Sequence, residues 1–122
     1  MRVTIRQKNL EITDALRVYI ETKIIKTVRQ LLGSAADDLP ILDLEFMRTT
    51  EHHRKGKVYH AEANLSLGKT RLRAEVDDED MRSACDLLEE ELRREITTFK
   101  NKRRTLAKRG GRKIKKEIQQ GE

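Results

Sequence analysis

The stretch VYHAEANLSLGKTRLRAEV, residues 58–76, holds the clearest structural signal in the chain. As far as Leu67 it alternates: Tyr59, Ala61, Ala63, Leu65 and Leu67 face one way, while His60, Glu62, Asn64 and Ser66 face the other. A period of two is the mark of a strand with one face on a core and the other in water. Gly68-Lys69 follows as a two-residue hairpin turn of the Gly-first kind. The chain then returns through TRLRAEV, with Leu72, Ala74 and Val76 on the inward side. A hairpin with one apolar face must be covered by something else in the chain.

Upstream of this hairpin, ILDLEFMR (41–48) sets Leu42, Leu44 and Phe46 against Asp43 and Glu45, and reaches it through the tip TTEHHRKGK. Near the N-terminus, RVTIR places Val3 and Ile5 on one side of a further strand. Between these two strands lies ITDALRVYIETKIIKTVRQLL (12–32), in which Leu16, Ile20, Ile24, Val28 and Leu31 recur at helical spacing. Thr13 is placed to cap that helix, Asp14 suits the positive end of its dipole, and Gly33 ends it before the loop GSAADDLP. On the far side of the hairpin, a helix from Asp80 to about Lys102 carries Met81, Ala84, Cys85, Leu88, Leu92, Ile96 and Phe99 on one stripe. The glycines of RGGRK are expected to break it.

The element order is therefore β-α-β-β-β-α. A helix joining the first two strands implies a right-handed crossover and a parallel pair, and the later strands pair antiparallel. Each helix has one apolar stripe, so both are expected on the same sheet face. The fold class is α+β: a two-layer sandwich of a four-stranded sheet, its other face in water. Residues 1–100 are expected to form this domain, and 101–122 a basic C-terminal extension, partly helical and then flexible.

Composition agrees with a single thin core: 122 residues, 36% hydrophobic and 39% charged, leave no room for a second one. One cysteine excludes an internal disulfide framework and a cysteine zinc cage. No apolar run of signal length opens the chain, and none approaches the roughly 18 residues of a membrane span. A cytoplasmic protein that does not touch membranes is expected.

The side chains that could carry chemistry argue against an enzyme. His52 and His53 are neighbours in a hairpin tip and cannot easily converge on one ion, and His60 falls on the wet face of a strand, so no metal site is expected. Cys85 lies on a buried stripe and reads as a small core residue. Gly110-Gly111 follows a helix instead of a strand and so cannot form a phosphate-cradling loop. The acidic runs DDED and EEE suit a helix N-terminus and a solvated face better than paired catalytic carboxylates. No catalytic residues, cofactor or small-molecule substrate are assigned.

Charge is more informative. From Lys100 to Glu122 there are ten Lys or Arg against two Glu, a net of +8, whereas the whole chain is +6. The first 99 residues are therefore slightly acidic, and the basic character belongs to the tail. On the first helix Lys23, Lys26 and Arg29 are expected to fall together, opposite the apolar stripe. The last helix carries Arg82, Arg93, Lys100 and Arg104 on one flank, among Asp86 and Glu89, with a pair expected between Glu89 and Arg93. Arg94 points outward beside Glu90. Singly, each of these cations is accounted for by a solvated helix face. Jointly they run on into Lys102, Arg103 and Arg104 of KNKRR, a continuous track suited to a phosphate backbone. Scarce aromatics speak against base stacking on single strands.

NLEITDALRVYIETK (9–23), followed by the hairpins and DMRSACDLLEEELRREI (80–96), resembles the family of ribosome hibernation-promoting factors, also called ribosome-associated inhibitor A or sigma-54 modulation proteins. The resemblance covers residues 1 to about 100 and centres on Thr13-Asp14-Ala15-Leu16 and on Asp80-Met81, Ala84 and Asp86. It implies a fold similar to a double-stranded-RNA-binding domain. It also implies lodging on rRNA in the decoding channel of the small ribosomal subunit, where mRNA and tRNA are blocked and translation is silenced under stress or in stationary phase. A short form is implied, without a dimerising C-terminal domain and monomeric off the ribosome. The chain departs from the family pattern at Arg82, usually Tyr, at Cys85, usually Ile, and at Glu91, often Lys. Arg82, Arg94 and Lys100 are then the better matches to the basic positions of the second helix, and Lys23 to that of the first. The alternative is a general double-stranded-RNA-binding protein not specific to ribosomes.

Overall fold

The computed structural model describes residues 1–33, 39–49 and 58–120, with side chains up to residue 108. The elements run β1 (Arg2–Lys8), α1 (Asp14–Ile20), a π-helical turn (Glu21–Ile25), α2 (Lys26–Leu32), β2 (Ile41–Arg48), β3 (Tyr59–Leu67), β4 (Thr70–Asp78) and α3 (Met81–Gln120). The strands form one sheet in the order β1-β2-β3-β4. β1 pairs parallel with β2, and the other two pairings are antiparallel. This is the α+β arrangement expected from the sequence. The tip residues His52 and His53 lie outside the described residues.

The inward residues of β2, β3 and β4 meet both helices in one core. Leu42, Leu44, Phe46, Ala61, Ala63, Leu65, Leu72 and Ala74 pack against Leu16, Ile20, Ile24 and Val28 from one side, and Met81, Ala84, Cys85, Leu88, Leu92 and Ile96 from the other. Small residues on β3 let the helices approach, while Phe46 on β2 fills the space beside them completely. Among the described residues, no buried side-chain polar atom lacks a hydrogen-bond partner.

Local chemistry sets the element ends. The Thr13 hydroxyl accepts a hydrogen bond from the Leu16 amide at 3.2 Å, satisfying one of the free donors of the first turn. Gly33 closes α2 at φ 59°, where a side chain is strained. Gly68, at φ 60°, opens the β3–β4 turn.

Two features differ from expectation. Residues 14–32 form a continuous helical rod, but its middle is a π turn that holds one extra residue. Thr22 within the turn and Thr27 just after it donate their hydroxyls to the carbonyls of Val18 and Lys23, at 2.9 and 2.8 Å. The extra residue lets both Ile24 and Ile25 turn inward, so Ile25 joins a core from which strict α periodicity left it out. Second, the Gly110-Gly111 pair does not break the last helix, which continues to Gln120. Glycine inside a helix costs only about 1 kcal/mol relative to alanine, and the flanking Lys, Arg, Leu and Ile residues sustain the helix.

Candidate nucleic-acid interface

The two helical rods are tied along a polar seam. The Tyr19 hydroxyl donates to the Asp86 carboxylate, Arg82 lies over the Tyr19 ring at 5.4 Å, and Lys23 Nζ stands 4.0 Å from Asp86. The hydrogen bond to Asp86, helped by burial and by that charge, pushes the Tyr19 phenol up to about 12. Lower on the seam, Lys100 Nζ donates to the Leu31 carbonyl at 2.7 Å, where a cation meets the negative end of a helix dipole. Three cations selected from the sequence, Lys23, Arg82 and Lys100, therefore hold helix to helix.

Two more are neutralised within α3. Arg93 bonds Glu89, as expected, although Glu89 is 97% buried and belongs to the core rather than to a solvated flank. Arg94 points outward, as expected, and reaches Glu91 at 3.0 Å. Residues three and four apart are both neighbours on a helix face, and the Arg94 guanidinium is turned to the one at Glu91. Arg103 also has an interaction partner.

The cations of the first rod do not share one face. Lys23 leans toward α3, whereas Lys26 and Arg29 line an open groove against β1 with Val3, Ile5 and Arg17. The reason is the spread of the helix: three residues advance about 300°, so positions 23 and 29 are about 120° apart. Arg17 was missed in the sequence reading. A regular α-helix sets Arg17 and Arg29, twelve residues apart, about 120° out of phase, and the extra residue of the π turn reduces that to about 20°, so that Arg17 joins the groove. Lys26, Arg29, Lys102 and Arg104 are exposed and have no ion pair or hydrogen bond among the described residues. A second groove, at the rod's far end, is lined by Leu32, Leu67, Phe99, Lys100, Arg103 and Arg104.

The outer face of the sheet has the opposite sign at its centre. Cross-strand register aligns Arg6, Glu45, Glu62 and Glu75 in one row, and Lys8, Met47, His60 and Asp77 in the next. Burial alone would disfavour a charged His60, but hydrogen bonds to Asp77 and Glu62 outweigh it and raise its pKa above the ordinary 6.5. Phosphate is repelled from the Glu45, Glu62 and Glu75 row, while Arg2, Arg71 and Arg73 lie on the same face toward one end of the sheet.

Comparison with known proteins extends this picture. Residues 3–104 match the family model described as sigma 54 modulation protein / S30EA ribosomal protein. The ribosome hibernation promotion factor of Bacillus subtilis (strain 168) is 35% identical over 102 residues, covering 84% of this chain and 50% of that protein. That of Lactococcus lactis subsp. cremoris (strain MG1363) is 32% identical over 102 residues, covering 84% and 51%. The chain thus spans about half the length of these relatives. Among solved structures, the N-terminal domain of Thermus thermophilus Protein Y superposes with a TM-score of 0.61 at 26% identity, covering 81% of this chain and 99% of that one. A ribosomal subunit interface protein from Coxiella burnetii gives a TM-score of 0.63 at 22% identity, covering 83% and 99%, and supports the fold alone.

Proposed function

Because this chain belongs to the sigma 54 modulation protein / S30EA ribosomal protein family, a family of non-enzymatic ribosome hibernation factors, we propose that it binds rRNA in the decoding channel of the small ribosomal subunit. There it excludes mRNA and tRNA and silences translation under stress or in stationary phase. It works in the cytoplasm and is monomeric when off the ribosome. Among the described residues, no helix is long and apolar enough to cross a membrane.

The observation that carries this reading is the family match over residues 3–104, joined by exposed cations on the helical side that no carboxylate pairs among the described residues. The helical side offers Arg17, Lys26 and Arg29 in one groove, outnumbering Glu21 there, and Lys102 and Arg104 beyond the seam. Free cations can exchange counterions for phosphates, and cations already paired to Glu89, Glu91 or Asp86 contribute less. Specific placement comes from the shape of the domain, because phosphate contacts position a protein without reading sequence. Arg82, Arg93, Arg94, Lys100 and Arg103 belong to this surface as its framework, and Lys23 joins them beside Asp86.

The test is competition on assembled particles. The protein should cosediment with small subunits and be displaced when mRNA and initiator tRNA occupy them. Equal or tighter binding to bare duplex RNA would instead establish the general double-stranded-RNA reading.

A further inference from the structure

On the outer face of the sheet, remote from the helices, His60 and Glu62 of β3 stand across from Asp77 and Glu75 of β4. His60 Nε2 lies 2.8 Å from Glu62 Oε1 and 3.9 Å from Glu75 Oε2, and its Nδ1 lies 2.7 Å from Asp77 Oδ1. One donor atom from each of His60, Glu62 and Glu75 falls within 4.8 Å of the others. The His60 and Glu62 side chains are only 16% and 21% exposed, so two of the three are held by their surroundings.

From this arrangement we infer that His60, Glu62 and Glu75 form a binding site for a divalent transition-metal ion of the zinc type, with Asp77 orienting the imidazole. The geometry fits the ion. Metal–nitrogen and metal–oxygen bonds of about 2.0–2.2 Å in a tetrahedron set neighbouring donors roughly 3.4 Å apart. The observed 2.8 and 3.9 Å straddle that spacing, so small side-chain rotations suffice. A carboxylate on Nδ1–H is the partner that fixes a ligating histidine's tautomer and leaves Nε2 for the metal. One imidazole and two carboxylates suit a borderline ion, whereas magnesium and calcium prefer oxygen alone. Glu45, opposite Glu62 in the register, adds negative field without being needed as a ligand.

The bound state conserves protons simply. When His60 carries hydrogens on both ring nitrogens, the proton on Nε2 passes to solvent, the Nε2 lone pair forms the bond to the metal, and the Nδ1–H···Asp77 bond persists. Solvent completes the coordination on the open side of the sheet. The competing cation is internal: Arg73 Nη2 lies 3.1 Å from Glu75 Oε2 and 3.7 Å from Glu62 Oε1, on the carboxylates the metal would use.

That competition makes the site distinguishable from a generally acidic surface. In the full chain carrying His52→Asn and His53→Asn, calorimetric titration with zinc chloride should show one ion per chain. His60→Asn, or Glu62→Gln with Glu75→Gln, should weaken this binding by more than about tenfold, and Asp77→Asn by about tenfold. Arg73→Ser should strengthen it. Far-UV circular dichroism and thermal melts identify folded variants, and zinc should raise the melting temperature of the His52/His53 variant but not of its His60→Asn derivative. Absence of stoichiometric zinc binding, binding that survives loss of His60 and both glutamates, or weaker binding in folded Arg73→Ser would each overturn the inference.

Discussion

Replacing Lys26, Arg29, Lys102 and Arg104 together by glutamine removes four exposed cations that no carboxylate neutralises among the described residues. If each touches one phosphate, the slope of log affinity against log salt should become shallower by about 3.6, at roughly 0.9 per phosphate. Between 50 and 200 mM salt the unaltered protein should then lose on the order of 100-fold more affinity than the quadruple variant. The assay is sedimentation of the protein with small ribosomal subunits across that salt series. Arg93→Gln with Arg94→Gln is the comparison, because these two guanidiniums already bond Glu89 and Glu91. Its effect on the slope should be clearly smaller. An unchanged slope in the quadruple variant, with the fold intact, would refute the argument that free rather than paired cations carry the binding.

Other expectations concern the fold and the seam. Phe46→Ala, at a fully buried position on β2, should lower stability by about 3–5 kcal/mol in a urea titration. Gly33→Ala has space for its methyl group, yet its positive φ should cost about 1–3 kcal/mol, read in the same experiment. The Tyr19 phenol is raised to about 12 in the folded protein, so it binds its proton more tightly there than when unfolded. Its contribution to stability is fully present below pH 10 and is lost as pH rises through 12. Tyr19→Phe should abolish that component of the alkaline stability profile. Burial pushes the Cys85 thiol up to about 12, so iodoacetamide at pH 8 should label it only after unfolding.

The fold was legible wherever periodicity was unambiguous. Alternation in β2 and β3, the Gly68-Lys69 turn, the Thr13 cap and the buried stripe of α3 all appear as the residues imply. What escaped depended on phase and partnership. A π turn leaves no period of its own in a single rod, so the inward turn of Ile25 and the grouping of Arg17 with Arg29 could not be read from 100° steps. Charge alone likewise could not separate free cations from employed ones. Lys100 bonds a carbonyl 69 positions away, and Arg82 lies over a tyrosine on another helix. The His60 cluster was closer to legible. Once the turn at 68–69 is placed, the hairpin register brings 60 to 77 and 62 to 75, but alternation puts His60 on the wet face and gives no sign that its side chain is largely covered there.

The most direct measurement is chemical footprinting of small-subunit rRNA with the protein bound, with and without mRNA and initiator tRNA. Decoding-channel nucleotides should be protected, with the protection disappearing when mRNA and tRNA fill the channel and weakening in the Lys26/Arg29/Lys102/Arg104 variant. Protection elsewhere on the subunit, or protection that persists beside bound mRNA and tRNA, would contradict it.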